Sequence, residues 1–220
     1  MTALIRYQAG LLLRSHRWVG PVAVYAVFTW FVGAAAQQPL SDGLRWSAAA
    51  LVPLVAWLTR SMLTAEPEEA RACAAAAAGP HRAHLAALIA ALGGGAVLAV
   101  AGAALQVAVC QEPAGGLPGY AMPVASGLAA AVICIGAGSA AGALCNPPVV
   151  RGVAAGILTT TGAVIAILVA GVSPANAVIR QGGPPPHLAS WPAGLPLIVT
   201  VALVAAAWTV STALAARRGA

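Results

Sequence analysis

Long apolar runs alternate with short polar breaks along this chain, and the run lengths set the class. Six runs, at about 19–36, 46–63, 85–109, 122–145, 152–172 and 195–216, are almost free of charge. A helix of about 20 apolar residues crosses the roughly 30 Å hydrocarbon core of a bilayer, and it pairs its own backbone groups where no water can. The pattern predicts an all-α polytopic membrane protein with six transmembrane helices in a single domain, 1–220. Pro53 should kink the second run, and Arg60 can snorkel from its end. Gly93-Gly94-Gly95 should loosen the third. The breaks carry turn residues: Pro39 and Asp42-Gly43 in 37–45, Pro113 and Pro118-Gly119 in 110–120, and Asn146-Pro147-Pro148. In the longest outer break, 173–194, residues 174–180 can form a short helix dipping back into the membrane.

Two shorter patterns lie outside the runs. Residues 3–18 have helical periodicity, with Leu4, Ile5, Tyr7, Leu11, Leu12 and Trp18 on one arc. Arg6 and Arg17 share the opposite face, Arg14 borders it, and Leu13 is the exception. Such a helix lies in the membrane interface with its basic face in water. The second pattern, 64–84, holds Glu66, Glu68 and Glu69 followed by an alanine run and Gly79-Pro80. Pro67 suits a first helical position. The carboxylates suit the positive end of the helix dipole, and Gly79-Pro80 ends the element. The expected helix has roughly 12 residues, about 18 Å long, too short to span and offered in water to a partner.

Composition and charge agree with this pattern. The chain is 60% hydrophobic and 7% charged, with a mean hydropathy of +0.88, against about 25% charged residues in soluble domains. The net charge is +6, carried by arginines with no lysine. The arginines flank the spans and form no basic face, so nucleic acid is not an expected partner. With six spans, Arg6, Arg14, Arg17, Arg60, Arg71, Arg82, Arg151, Arg217 and Arg218 fall on the side of the termini, and Arg45 and Arg180 on the other. Arginine favours the cytoplasmic side. Both termini and the acidic helix are therefore expected in the cytoplasm, with the chain in the inner (cytoplasmic) membrane.

Little reactive chemistry is visible. Cys73, Cys110, Cys134 and Cys145 form no CxxC, and no Cys/His cluster has metal spacing. No catalytic residue, metal or cofactor is expected. Ser139 follows Gly136-Ala137-Gly138 but precedes Ala140, and the last span has no histidine, so the pattern of a rhomboid-like protease is broken. No phosphate-binding loop is present. His81 and His84 flank Arg82 at an interface and read as headgroup or solvent contacts. Gly138/Gly142 and Gly152/Gly156 have the spacing that lets helix backbones approach, inside one chain or at a subunit seam. Thr159, Thr160 and Thr161 form the most polar patch in a span. Their hydroxyls either bond back to the previous turn or line a transport path.

An interfacial N-terminal helix, a cytoplasmic helix between spans two and three, and a membrane-dipping segment before span six give the chain a distinctive layout. It resembles the permease subunit of an ATP-binding-cassette (ABC) exporter, of the type-2 permease family with the ABCG-like, type V fold. The acidic loop helix followed by Gly79-Pro80 is similar to the family's cytoplasmic loop. The resemblance implies a connecting helix at 3–18, a coupling helix at 66–78 and an outer re-entrant region at 174–193. It implies Glu66, Glu68, Glu69 and Arg71 as contacts to the ATPase, and ATP hydrolysis on a separate chain present in two copies. It also implies a second permease copy or related chain across the path, and surrounding membrane lipid. The competing expectations are a stand-alone channel or secondary transporter, and a non-transporting scaffold subunit.

Overall fold

The computed structural model describes residues 1–35, 37–113, 116–150, 152–180 and 194–217, with the side chains of Ala35 and Glu68 left aside. Among these residues the chain is helical and has no strand. Its one extended pairing is a bridge between Pro39 and Gln111. The helices are α1 (Thr2–Ser15), α2 (Val19–Trp30, continued by a π-helical turn Phe31–Ala35) and α3 (Leu40–Ala65). They continue with α4 (Glu68–Ala78), α5 (Pro80–Val109), α6 (Leu117–Leu144), α7 (Val153–Val169), α8 (Pro174–Arg180) and α9 (Leu195–Arg217).

By length and composition this is a multi-pass membrane protein. Four helices, α3, α5, α6 and α9, are long and apolar enough to cross a membrane. The bent pair α7 and α8, with 44° between them, makes a fifth if it is one span. The structure thus supports four to five spans rather than the six expected. The expected first span is the short one: its apolar helix Val19–Ala34 reaches only about 24 Å at 1.5 Å per residue, against a core of about 30 Å. α7, with 17 residues, stops before Pro174, which has no N–H to continue a helix. The Asn176 side-chain amide, on α8, donates to the Leu168 carbonyl in the last turn of α7. The expected re-entrant region is therefore a helix over its first seven residues, and 181–193 lies outside the described residues.

Several boundaries lie further out than the turn residues suggested, because those residues sit inside first turns. α3 starts at Leu40 rather than 46, with Asp42 in its first turn accepting a hydrogen bond from Arg45 at 2.9 Å. Gly43 lets the side chains of Gln106 and Cys110 come close to α3: a Cβ there would lie 2.5 Å from Cys110 Sγ and 2.8 Å from Gln106 Oε1. Pro80 opens α5, and Pro118 lies in the first turn of α6, positions where a missing N–H costs nothing. The triple glycine leaves α5 unbroken. α1 ends at Ser15, earlier than expected, because His16 turns left-handed at φ 53°.

α3 is the axis of the bundle and packs most extensively on α6, then on α5. Leu44, Leu51, Val52, Val55 and Leu58 of α3 are fully or almost fully buried. The α6 backbone reaches α3 directly, since a Cβ on Gly138 would meet the Val52 carbonyl oxygen at 2.5 Å and one on Gly142 the Ala56 oxygen at 2.9 Å. Branched aliphatic side chains on the outer faces, such as Val24, Val97, Leu158 and Ile198, are exposed, as a lipid-facing surface requires.

The two ends of the bundle differ. At one, Gln106 is fully buried, donates to the Thr29 carbonyl at 2.9 Å and accepts from the Cys110 thiol at 2.9 Å. At the other, α1, α4, the end of α3 and the last turns of α9 come together, and Gln8 and Ala215 line one cavity there. That second end is called the α4 end below.

Candidate functional site

The α4 end concentrates the polar side chains that the sequence singled out. α4 runs from Glu68 to Ala78, 11 residues, with Pro67 just ahead of it rather than in its first position. Alanine holds this stretch helical at least cost. Gly79, at φ 86°, turns the chain into α5 without a gap, a conformation that glycine adopts freely. Glu69, Ala72, Cys73, Ala76 and Ala77 are exposed.

The four acidic-loop residues have different places. Glu66 is not offered to solvent: it is 8% exposed, and its Oε2 accepts a hydrogen bond from Gln8 Nε2 at 3.1 Å. This corrects the expectation of an exposed Glu66. The cause is the docking of α1 on α3 and α5, which brings Gln8 across the end of α3. Arg71 is half-buried, and its Nη2 donates to the Leu63 and Glu66 carbonyls at 3.2 and 3.1 Å. Carbonyls at a helix C-terminus lack intrahelical partners and carry the negative end of the dipole, so Arg71 caps α3 and ties α4 to it. Glu69 remains exposed, and the Glu68 side chain lies outside the described residues.

Gln8 Oε1 and Glu66 Oε1 are both buried without a hydrogen-bond partner. They belong to residues lining a cavity of about 70 Å³, which Arg71, His84 and Pro147 also line. Desolvation, and then the charge of neighbouring Glu66, push the Tyr7 phenol above its ordinary value. His84 is not a free solvent contact: its Nε2 lies 2.6 Å from Ser211 Oγ on α9. This is a Ser–His pair by distance, but Ser211 is 0% exposed, so no substrate reaches its hydroxyl. No carboxylate bonded to His84 appears among the described residues, so the orienting third group of a triad is missing.

A second polar knot lies one turn deeper. Asn146, 0% exposed, accepts from Arg60 Nη1 and donates through Nδ2 to the Gly142 carbonyl at 2.8 Å and to Thr160 Oγ1 at 3.1 Å. Arg60 Nη2 also reaches the Val153 carbonyl at 3.3 Å. Arg60 therefore pins α3 to α6 and α7 rather than simply snorkelling. The threonine patch divides. Thr159 bonds back to the Ala155 carbonyl at 2.7 Å and Thr160 to Gly156 at 2.6 Å, while Thr159 and Thr161 are exposed and Thr160 is buried.

Sequence reasoning missed Gln8, Asn146 and Ser211. For Gln8 a signal existed, since it lies four residues from both Leu4 and Leu12, inside the apolar arc of α1. For Ser211, 127 residues from His84, none did. No group of three or more His, Cys, Asp or Glu able to hold a metal occurs among the described residues. Chemically, this end can bind, brace and dock. Compared with known protein families, characterised proteins and solved structures, the chain matches none.

Proposed function

We propose that this chain is the membrane-spanning permease subunit of an ABC transporter, working as an exporter in the cytoplasmic membrane with the α4 end inside the cell. α4 is the coupling element for a separate ATPase, present in two copies. The observation that carries the reading is α4 itself: a short helix between two long apolar ones, packed on α5, with Glu69 and an alanine face left uncovered. Arg71 fastens its base to α3, so a push on α4 is delivered to the central helix of the bundle. Glu66 works from inside that joint, and the ATPase contacts narrow to Glu68 and Glu69. The path runs between this chain and a second copy or related chain, with Thr159 and Thr161 on its wall. Thr160 is turned away to Asn146.

Two experiments test this. Cys73 is exposed on α4, so in a Cys110→Ala background a membrane-impermeant maleimide should label it in inverted vesicles and not in intact cells. Labelling from outside overturns the orientation. The Glu68→Lys/Glu69→Lys variant should insert normally. It should also lose at least about fivefold in co-purification with a co-expressed ABC ATPase that the wild-type chain retains, since exposed charge contacts are worth up to about 1 kcal/mol each. Unchanged co-purification removes α4 from the coupling role.

A further inference from the structure

The cavity at the α4 end is enclosed by residues far apart in sequence: Gln8 of α1, Glu66 just after α3, Arg71 of α4, His84 of α5, Pro147, and Ala215 of α9. At about 70 Å³ it exceeds the roughly 10–15 Å³ that a single water needs. Arg71, Pro80 and Pro147 on its wall are only half-buried, so it reaches the aqueous side between α4 and the 147–148 turn. Two oxygens in it lack a donor. Gln8 is 2% exposed and Glu66 8%, and the Oε1 atom of each is buried with no hydrogen-bond partner. Turning the Gln8 amide over does not help. Its Nε2 must face Glu66 Oε2, to which it donates at 3.1 Å, because a carboxylate only accepts. Among the described residues the one ion pair is Arg45 with Asp42, so no cation there stands within ion-pair distance of the Glu66 carboxylate. Arg71 lines the cavity, but its bonds go to the main-chain carbonyls of Leu63 and Glu66. His84 Nε2 is taken up by Ser211.

A buried carboxylate calls for a counter-charge, and a buried acceptor for a donor. One occupant meets both demands if it carries positive charge and more than one N–H. We infer that this cavity is a binding site for a small primary ammonium ion, with its N–H groups on Gln8 Oε1 and Glu66 Oε1. Its short alkyl group lies against Met62, Leu63 and Ala87, which supply hydrocarbon wall. A metal ion suits the site less, because no group of three or more His, Cys, Asp or Glu stands among the described residues. An occupied site ties α1 to the end of α3 by charge as well as through the Gln8 amide. The inference does not depend on the ABC reading, since it is tested on this chain alone.

The test is thermal unfolding of the full chain in detergent, in methylammonium, tetramethylammonium or sodium chloride at equal ionic strength. Methylammonium should raise Tm saturably and above the other two, because tetramethylammonium and sodium have the charge without N–H donors. Glu66→Gln keeps the shape and removes the charge. It should weaken the apparent methylammonium affinity at least about tenfold, the worth of one hydrogen bond to a charged group. Ala75→Leu fills the cavity from the α4 side and leaves both oxygens in place. It should abolish the methylammonium shift while circular dichroism stays helical, and it decides alone if Glu66→Gln does not fold. Equal Tm in the three salts overturns the inference and leaves water as the occupant. So does a methylammonium shift of full size in a folded Glu66→Gln or Ala75→Leu variant.

Discussion

α6 carries two glycines four residues apart, and the same spacing recurs from the N-cap of α7, Gly152, to Gly156 inside it, yet α6 is 67% buried over its most apolar window, while α7 buries Gly156, Thr160 and Val164 out of 17 residues. In α6 both glycines meet α3: Gly138 the Val52 carbonyl, Gly142 the Ala56 carbonyl and Thr59. At the N-cap of α7, Gly152 meets only Ala155 of its own chain segment, and inside α7 Gly156 meets the tip of Arg60 at 2.6 Å before Asn146 Oδ1 and the Cys145 carbonyl oxygen at 3.2 and 3.3 Å. The same spacing therefore serves close backbone packing in one helix and passage of a guanidinium in the other. A glycine motif reports that something comes close; its neighbours decide whether that something is rigid backbone or a movable side chain.

The sharpest way to break the comparison is Gly138→Ala. Its Cβ would strike backbone, so we expect a loss of about 3 kcal/mol, the upper part of the range for overpacking, read as thermal unfolding in detergent. A neutral result would show that α3 and α6 can separate freely. Asn146→Ala comes next. It removes the acceptor for Arg60 and two further hydrogen bonds, worth about 2 kcal/mol, and Arg60→Ala in the same background should add little. Full additivity of the two would argue against a shared knot.

A double-mutant cycle of Gln8→Leu and Glu66→Gln should give a coupling of about 1.5 kcal/mol, in the range for a hydrogen bond to a charged group. A coupling near zero would detach α1 from the end of α3. Gly156→Ala should cost about 1 kcal/mol, less than Gly138→Ala, because the nearest group is the end of the Arg60 side chain and the nearest backbone, the Cys145 carbonyl oxygen, is 3.3 Å away against 2.5 Å at Gly138. If it costs as much, the guanidinium is as fixed as backbone. Gly162→Ala, with nothing within 4 Å, should stay within about 0.5 kcal/mol of wild type; a larger loss would mean that something covers that face of α7.

Much of the architecture was legible in the pattern of residues. The apolar runs located α3, α5, α6 and α9, and the acidic-to-alanine stretch located α4 to within a residue. Errors arose where one residue type serves two geometries. Asp42-Gly43, Pro80 and Pro118-Gly119 read as loop, yet each sits in a first helical turn. Glu66 read as part of an exposed acidic run, because local sequence contains nothing of Gln8, 58 residues away.

By itself the sequence determined that this protein is helical, that it belongs in a membrane, and that one short charged helix stands apart from the apolar ones. These follow from local quantities: run length, hydropathy and the cost of backbone groups in lipid. Only the tertiary structure decided which polar residue is buried and against what. It turned Glu66 inward, joined His84 to Ser211, tied Arg60 to Asn146 and divided the three threonines between bundle and surface. Burial of a polar atom depends on partners brought from distant parts of the chain, and no window of neighbouring residues contains them.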